Sequence, residues 1–261
     1  MVITGAELTA LVGSYMWPLF RIAGLVMSAP LFGSKPVPAR LRLGLALSIA
    51  IAVVPIVSPS VPSVDVMSPT GILIVIQQIL IGVLMGFSLQ LVISAVITAG
   101  QVVALQMGLG FSLMVDPQNG AQAPVLSQLY VLMVLLVFLG LDGHLVMIEI
   151  LTDSFRFMPI SDKGLVPDDF WQVVSWGSMI FSGAIGIALP AIASLLVVNM
   201  AFGIMTRAAP QLNIFAIGFP ITMMIGFAVI FLTLPSVIPN SNAMFNRIYH
   251  LIQQLLGMGV P

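Results

Sequence analysis

The sequence predicts an all-α membrane protein of several apolar helices, some bent or broken, and three observations carry that prediction. Hydrophobic residues make up 59% of the chain and charged residues only 7%, where soluble domains carry roughly a quarter charged residues. Mean hydropathy is +1.16. The chain is free of charge from Val66 to Val115, from Phe170 to Thr206 and from Ala208 to Asn246. A span takes about 20 apolar residues, so these runs hold about four helices or more. Prolines inside them, such as Pro190 and Pro220, predict bends. No polar block is long enough for a soluble domain, so residues 1–261 read as a single helical membrane domain.

The first apolar segment runs from Leu8 to Phe32, interrupted by Pro18 and Arg21. The N-terminus carries Glu7 rather than a basic region, so this segment is expected to act as its own insertion signal. An arginine at a helix centre costs about 2.5–3.5 kcal/mol on insertion scales. Arg21 is therefore expected to snorkel or to pair with a carboxylate. Lys35, Arg40 and Arg42 then mark a basic loop, which by charge alone is cytoplasmic. A short segment from Leu43 to Val57 leads into the proline-rich stretch Pro55 to Pro69.

Ser68-Pro69 has the form of an N-cap followed by proline at the first helical position. The segment Ile72 to Leu105 that follows exceeds one span, and its Gly82-Val83-Leu84-Met85-Gly86 matches GxxxG. Such a match permits close helix approach, either within the chain or in a dimer. Val125 to Leu141 is the next apolar run, and it stops at Asp142-Gly143-His144. Pro167-Asp168-Asp169 opens another helix, with both carboxylates where the helix dipole favours them. Val173 to Phe202 and Ile214 to Val237 follow, separated by the corner Arg207 to Asn213. From Ala243 to Leu256, Phe245, Ile248, Ile252 and Leu255 fall at helical spacing. That pattern predicts an amphipathic C-terminal helix over 241–258, lying on an interface or a partner.

Several function classes drop out. A net charge of −1 offers no basic surface for nucleic acid. Without cysteine there is no disulfide and no thiolate nucleophile or ligand. No HExxH, phosphate-binding loop or Ser/His/Asp order is present, and the two histidines, His144 and His250, stand far apart. Neither an enzyme, a metal site nor a cofactor is expected. The intramembrane ionisable residues are functional candidates by default. Asp142 with His144 would make a proton-relay pair, and Glu149 and Asp153 share a helix face; both sets sit where the apolar run ends, so a solvated helix terminus accounts for them better. Arg21 and Arg207 read as structural anchors.

The stretch Gly100 to Pro124 stands apart. It is glycine-rich and apolar at Met107-Gly108-Leu109-Gly110-Phe111, continues through Ser112, Leu113 and Met114, and turns polar at Asp116-Pro117. Loops over a wet surface gain nothing from such residues, and irregular backbone at membrane depth is tolerated where protein or a cavity takes it up. The stretch reads as a re-entrant or pore-facing loop, or as a helix connection whose apolar half is packed.

Taken in order, Phe20-Arg21-Ile22-Ala23-Gly24, Ala29-Pro30, the run Pro38 to Leu47, Ala99-Gly100-Gln101, Gln106 to Leu109, Asp116-Pro117, Gly143-His144, Ser154-Phe155 and Pro159 form a pattern. It ends at the corner Arg207-Ala208-Ala209-Pro210-Gln211-Leu212-Asn213-Ile214-Phe215. Across nearly the whole chain this resembles the FliR/SctT family of the flagellar export gate and the injectisome. The resemblance implies a hetero-oligomer with FliP and FliQ, with FlhB and FlhA as further partners, in the bacterial inner membrane at the flagellar basal body. It implies helical hairpins assembled into a cone through which unfolded flagellar proteins pass, with residues 1–160 similar to FliP and 165–238 to a FliQ hairpin. Met107 to Asp116, with Pro117, would be the plug that keeps this channel closed; Pro210 and Asn213 belong to the most particular corner.

Two rivals come from other classes. A self-contained ion-coupled secondary transporter would use Glu149, Asp153 and Arg207 in a midplane site. A purely structural factor would nucleate the gate without closing it.

Overall fold

The computed structural model describes residues 5–33, 36–57, 64, 66–109, 125–162, 164–208 and 214–258. Among them the chain forms eight helices and no strand. These are α1 (Gly5–Ser28), α2 (Ala39–Val57), α3 (Pro69–Gln106), α4 (Val125–Gly140), α5 (Gly143–Phe157), α6 (Pro167–Ser175), α7 (Ser178–Ala208) and α8 (Ile214–Leu255). Among the described residues four stretches are long and apolar enough to cross a membrane, and the broken pair α4–α5 passes the same test when its two helices are taken together. At 1.5 Å per residue, α3 extends about 57 Å and α8 about 63 Å, well beyond the roughly 30 Å of a bilayer core.

The helix ends follow the local chemistry. Ser68 Oγ accepts the Gly71 N–H at 3.0 Å, which starts α3 with Pro69 at its first position. Asp169 accepts the Val166 N–H at 2.8 Å, and Pro167 opens α6. The break between α4 and α5 falls on Asp142, whose φ of 56° is left-handed, a conformation aspartate tolerates better than most. Gly257, at φ 72°, ends the described tail: its N–H reaches Gln254 O and that of Met258 reaches Gln253 O. This is the paired bonding of a Schellman cap.

Two compact units make up the chain. The first is drawn from Met1–Leu91, Asp142–Trp176 and Asn246–Pro261. Its centre is the crossing of α1 and α3. A Cβ on Gly24 would lie 2.7 Å from Ile79 O, and Cβ atoms on Gly82 and Gly86 would run into the Arg21 carbonyl and the Ser28 side chain. The GxxxG pair thus serves packing inside the chain. α2 lies against α1, burying Ala46, Ile49, Ala50 and Val53 while Leu43, Leu47 and Ile51 stay exposed. A helix apolar on both faces suits a lipid or protein surround.

The second unit comprises Val92–Leu141 and Gly177–Phe245. Small residues and methionines fit together here: a Cβ on Gly100 would stand 2.6 Å from Ser127 Cα, and Met244 fills the space over Gly183. Ser127 Oγ donates to Ile97 O at 3.0 Å, and the Phe138 and Phe245 rings lie 4.9 Å apart.

The stretch expected as an amphipathic C-terminal helix is helical and forms the last part of α8, which runs unbroken through Pro220, Pro235 and Pro239. Thr233, Ser236, Asn240 and Ser241 donate to carbonyls of the preceding turn, the kind of side-chain bonding that accompanies proline in apolar helices. The apolar face is also covered: Ile248, Ile252 and Leu255 are buried in the first unit, where Tyr249 Oη donates to Gly143 O at 2.9 Å. Arg247, His250 and Gln254 remain exposed.

Candidate functional site

Two places gather the residues that the sequence singles out: the end of α3, where the apolar loop begins, and the surroundings of Arg21.

α3 ends in a defined cap. The Met107 N–H reaches Val103 O, that of Gly108 reaches Leu105 O and that of Leu109 reaches Ala104 O, each at 3.0 Å. Gly108 takes φ 80°. This is again a Schellman cap, whose left-handed position favours glycine. Met107 is fully buried and lies against Gly226 of α8. Asn199 Nδ2 of α7 donates to the α3-end carbonyl of Gln106 at 3.4 Å. The start of the expected plug is therefore fixed framework, with Gly108 and Leu109 half-buried beside it. Gly110, Phe111, Ser112, Leu113, Met114, Asp116 and Pro117 lie outside the described residues, as do Pro210 and Asn213.

Arg21 is fully buried in the first unit. Its Nε donates to Gln78 Oε1 at 2.8 Å, Nη1 to Ser154 Oγ at 3.0 Å and Nη2 to Met158 O at 2.8 Å. The guanidinium lies 4.3 Å from the Phe155 ring centroid. The expected snorkelling or carboxylate pair is thus replaced, among the described residues, by neutral oxygens and a ring. Met158 is the C-cap of α5, so the charge faces the negative end of that helix dipole and the electron-rich face of an aromatic. Gln77, next to Gln78, accepts the Leu165 N–H at 3.1 Å. Arg21 and the two glutamines together tie α1, α3, α5 and the connection to α6.

The partners of Arg21 escape sequence reading because Ser154 and Phe155 are ordinary residues near a charged helix end. Gln77-Gln78 is the available signal, an amide pair within an otherwise apolar run. The remaining titratable candidates form no common site. Asp142 is exposed at the bend, and His144 Nδ1 is buried without a partner among the described residues. Glu149 is exposed, and Asp153 meets Arg156 at 3.7 Å on the solvated side of α5. Arg207 is exposed at the end of α7. No group of metal-ligating side chains occurs among the described residues.

Residues 12–248 match the bacterial export proteins, family 1. The flagellar biosynthetic protein FliR of Escherichia coli (strain K12) is 38% identical over 256 residues, spanning 97% of each chain. That of Pectobacterium carotovorum subsp. carotovorum is 37% identical over 94% of this chain and 93% of its own. That of Bacillus subtilis (strain 168) is 27% identical over 94% and 95%. With its helical architecture and this match along nearly its whole length, the chain belongs to the bacterial export proteins of family 1, alongside the flagellar biosynthetic proteins FliR.

Proposed function

We propose that this chain is a core subunit of a flagellar type III protein-export gate in the bacterial inner membrane. With FliP- and FliQ-like partners, with FlhB at its entrance and FlhA as a further partner, it forms the channel for unfolded flagellar subunits. Residues 1–160 take the FliP-like part and 165–238 the FliQ-like hairpin. The loop from Met107 to Asp116 keeps the channel closed between passages. The near-full-length likeness to FliR proteins carries this reading.

Physical features support it. Phe181, Ile185, Leu189, Val197, Met200 and Ile204 leave a long apolar face of α7 exposed, which suits helix partners or lipid in an assembly. An apolar loop filling a constriction excludes water and ions, and α3 ends in a rigid cap immediately before it. The subunit acts by shape rather than by chemistry. The exposed positions of Glu149 and Arg207 and the Asp153–Arg156 pair favour solvated surfaces over the midplane site a transporter needs.

The test is recovery of a tagged copy in mild detergent from flagellated cells, with the accompanying chains identified. One large complex containing FliP- and FliQ-like proteins is expected. A lone monomer, taken from cells that express those partners, refutes the reading.

A further inference from the structure

The short helix α6 divides along its length. Phe170, Trp171 and Val174 fall on one side of it at helical spacing. Trp171 is 73% and Val174 66% exposed, whereas Val173 is buried in the first unit. Asp168, Gln172 and Ser175 share the adjoining side and are exposed. The helix is also firmly mounted. Asp169 accepts the Val166 N–H at its start, Gln77 of α3 accepts the Leu165 N–H at 3.1 Å, and Ile160 and Leu165 are buried. The exposed apolar stripe therefore belongs to a fixed element.

Its surroundings are mixed in the same way. Asp153 and Arg156 pair near the end of α5, Asp162 and Asp168 are exposed, and Phe157 and Val166 stand exposed among them. Charged side chains are costly in the hydrocarbon core, and a contiguous apolar patch does not belong in bulk water. The headgroup region of a bilayer suits both, and tryptophan collects there. The four apolar stretches already require a bilayer, and α6 opens one of them, the 42 residues Pro167–Ala208. A span takes only about 20 residues, which leaves length for the interface. We propose that α6 is an interfacial anchor, lying in the plane of a lipid surface with Phe170, Trp171 and Val174 turned into it and Asp168, Gln172 and Ser175 in water. Basic residues draw a helix to anionic headgroups, and this polar side has none. Apolar burial is therefore the attraction, and zwitterionic lipid serves as well as anionic. The inference depends on the membrane and not on the channel.

The test places the chain, with the subunits that accompany it, in phosphatidylcholine vesicles. The chain has no cysteine, so Asp168→Cys, Trp171→Cys, Gln172→Cys and Val174→Cys each add one site for a nitroxide, and the unaltered chain sets the background. Oxygen, which concentrates in lipid, is expected to relax the labels at 171 and 174 more than a water-soluble nickel chelate does. The order is expected to reverse at 168 and 172. Brominated phosphatidylcholine is expected to quench the tryptophan emission, and Trp171→Phe to remove most of that quenching, since Trp17 and Trp176 are buried. Phosphatidylglycerol in place of phosphatidylcholine is expected to leave the labels at the same depth. Nickel dominance at all four positions puts the helix in water and overturns the proposal. Labels at 171 and 174 shielded from both reagents mean that protein covers the stripe, which overturns it too. So do oxygen dominance at all four positions, quenching that Trp171→Phe leaves unchanged, and labels that sink deeper only in phosphatidylglycerol.

Discussion

The two units solve the same problem by different means. The first buries a cation and satisfies it with directed bonds: Arg21 reaches Gln78, Ser154 and Met158 O. The second packs glycines against methionines, Gly183 with Met244 and Gly226 with Met107. Directed bonds in a low-dielectric interior specify one arrangement and are costly to leave half-made. Methionine in a glycine notch specifies shape loosely and repacks easily. The contrast teaches that rigidity and compliance are assigned to separate parts of the chain. The expected plug leaves from the second unit, at a helix end fixed by its own capping bonds.

Breaking the first unit should have the largest effect. Arg21→Ala leaves two buried acceptors, on Gln78 and Ser154, and the half-buried Met158 carbonyl without their donor, and each buried group so left costs about 1–3 kcal/mol. The chain is expected to lose protease resistance in detergent and to accumulate poorly. Arg21→Lys, a point charge without the planar fork, should recover part of this; a resistant Arg21→Ala protein would show that the network is dispensable. Gly82→Ala comes next, because its Cβ meets the α1 backbone rather than a movable side chain. Forced overpacking of this kind costs about 1–3 kcal/mol, measurable as a lower melting temperature. An unchanged melting temperature would mean that the helices part freely.

The second unit should respond less to substitution of similar volume. Met107→Leu and Met244→Leu are expected to cost less than about 1.5 kcal/mol each. Gln78→Leu, similar in size but without the acceptor for Arg21, should cost about 1.5–3 kcal/mol because the lost bond is to a charge. If melting temperatures reverse that order, the division into rigid and compliant units is wrong. The smallest effects belong to Glu149→Gln, at an exposed position, and Asp153→Asn, at a half-buried one paired with Arg156, each within about 0.5 kcal/mol. Export measured by motility should persist in both; its loss would revive a role for those carboxylates in ion coupling.

Much of the fold is legible in the sequence because the physics is local. Uncharged length marks the spans, and Ser68-Pro69 and Pro167 with Asp169 mark helix starts where the capping bonds occur. The break at Asp142 is legible as the end of an apolar run. The continuity of α8 is not, because prolines at 220, 235 and 239 break isolated helices and only tertiary packing offsets that. The partners of Arg21 are hidden for a related reason: Ser154 and Met158 O lie more than 130 residues away, and the favourable end of a helix dipole leaves no mark in composition. At the candidate site, the glycines at 108 and 110 point to a turn, but the contact of Met107 with Gly226 is a matter of distance in space.

The central claim is that the loop beyond the α3 cap closes a channel. Its most direct test is the ion leak of the purified complex carrying a chain shortened between Gly110 and Met114, beside the intact complex at equal subunit content. An assembled complex that leaks well above the intact one is the predicted result. An assembled complex as tight as the intact one would contradict the claim, and would leave the chain a structural member of the gate.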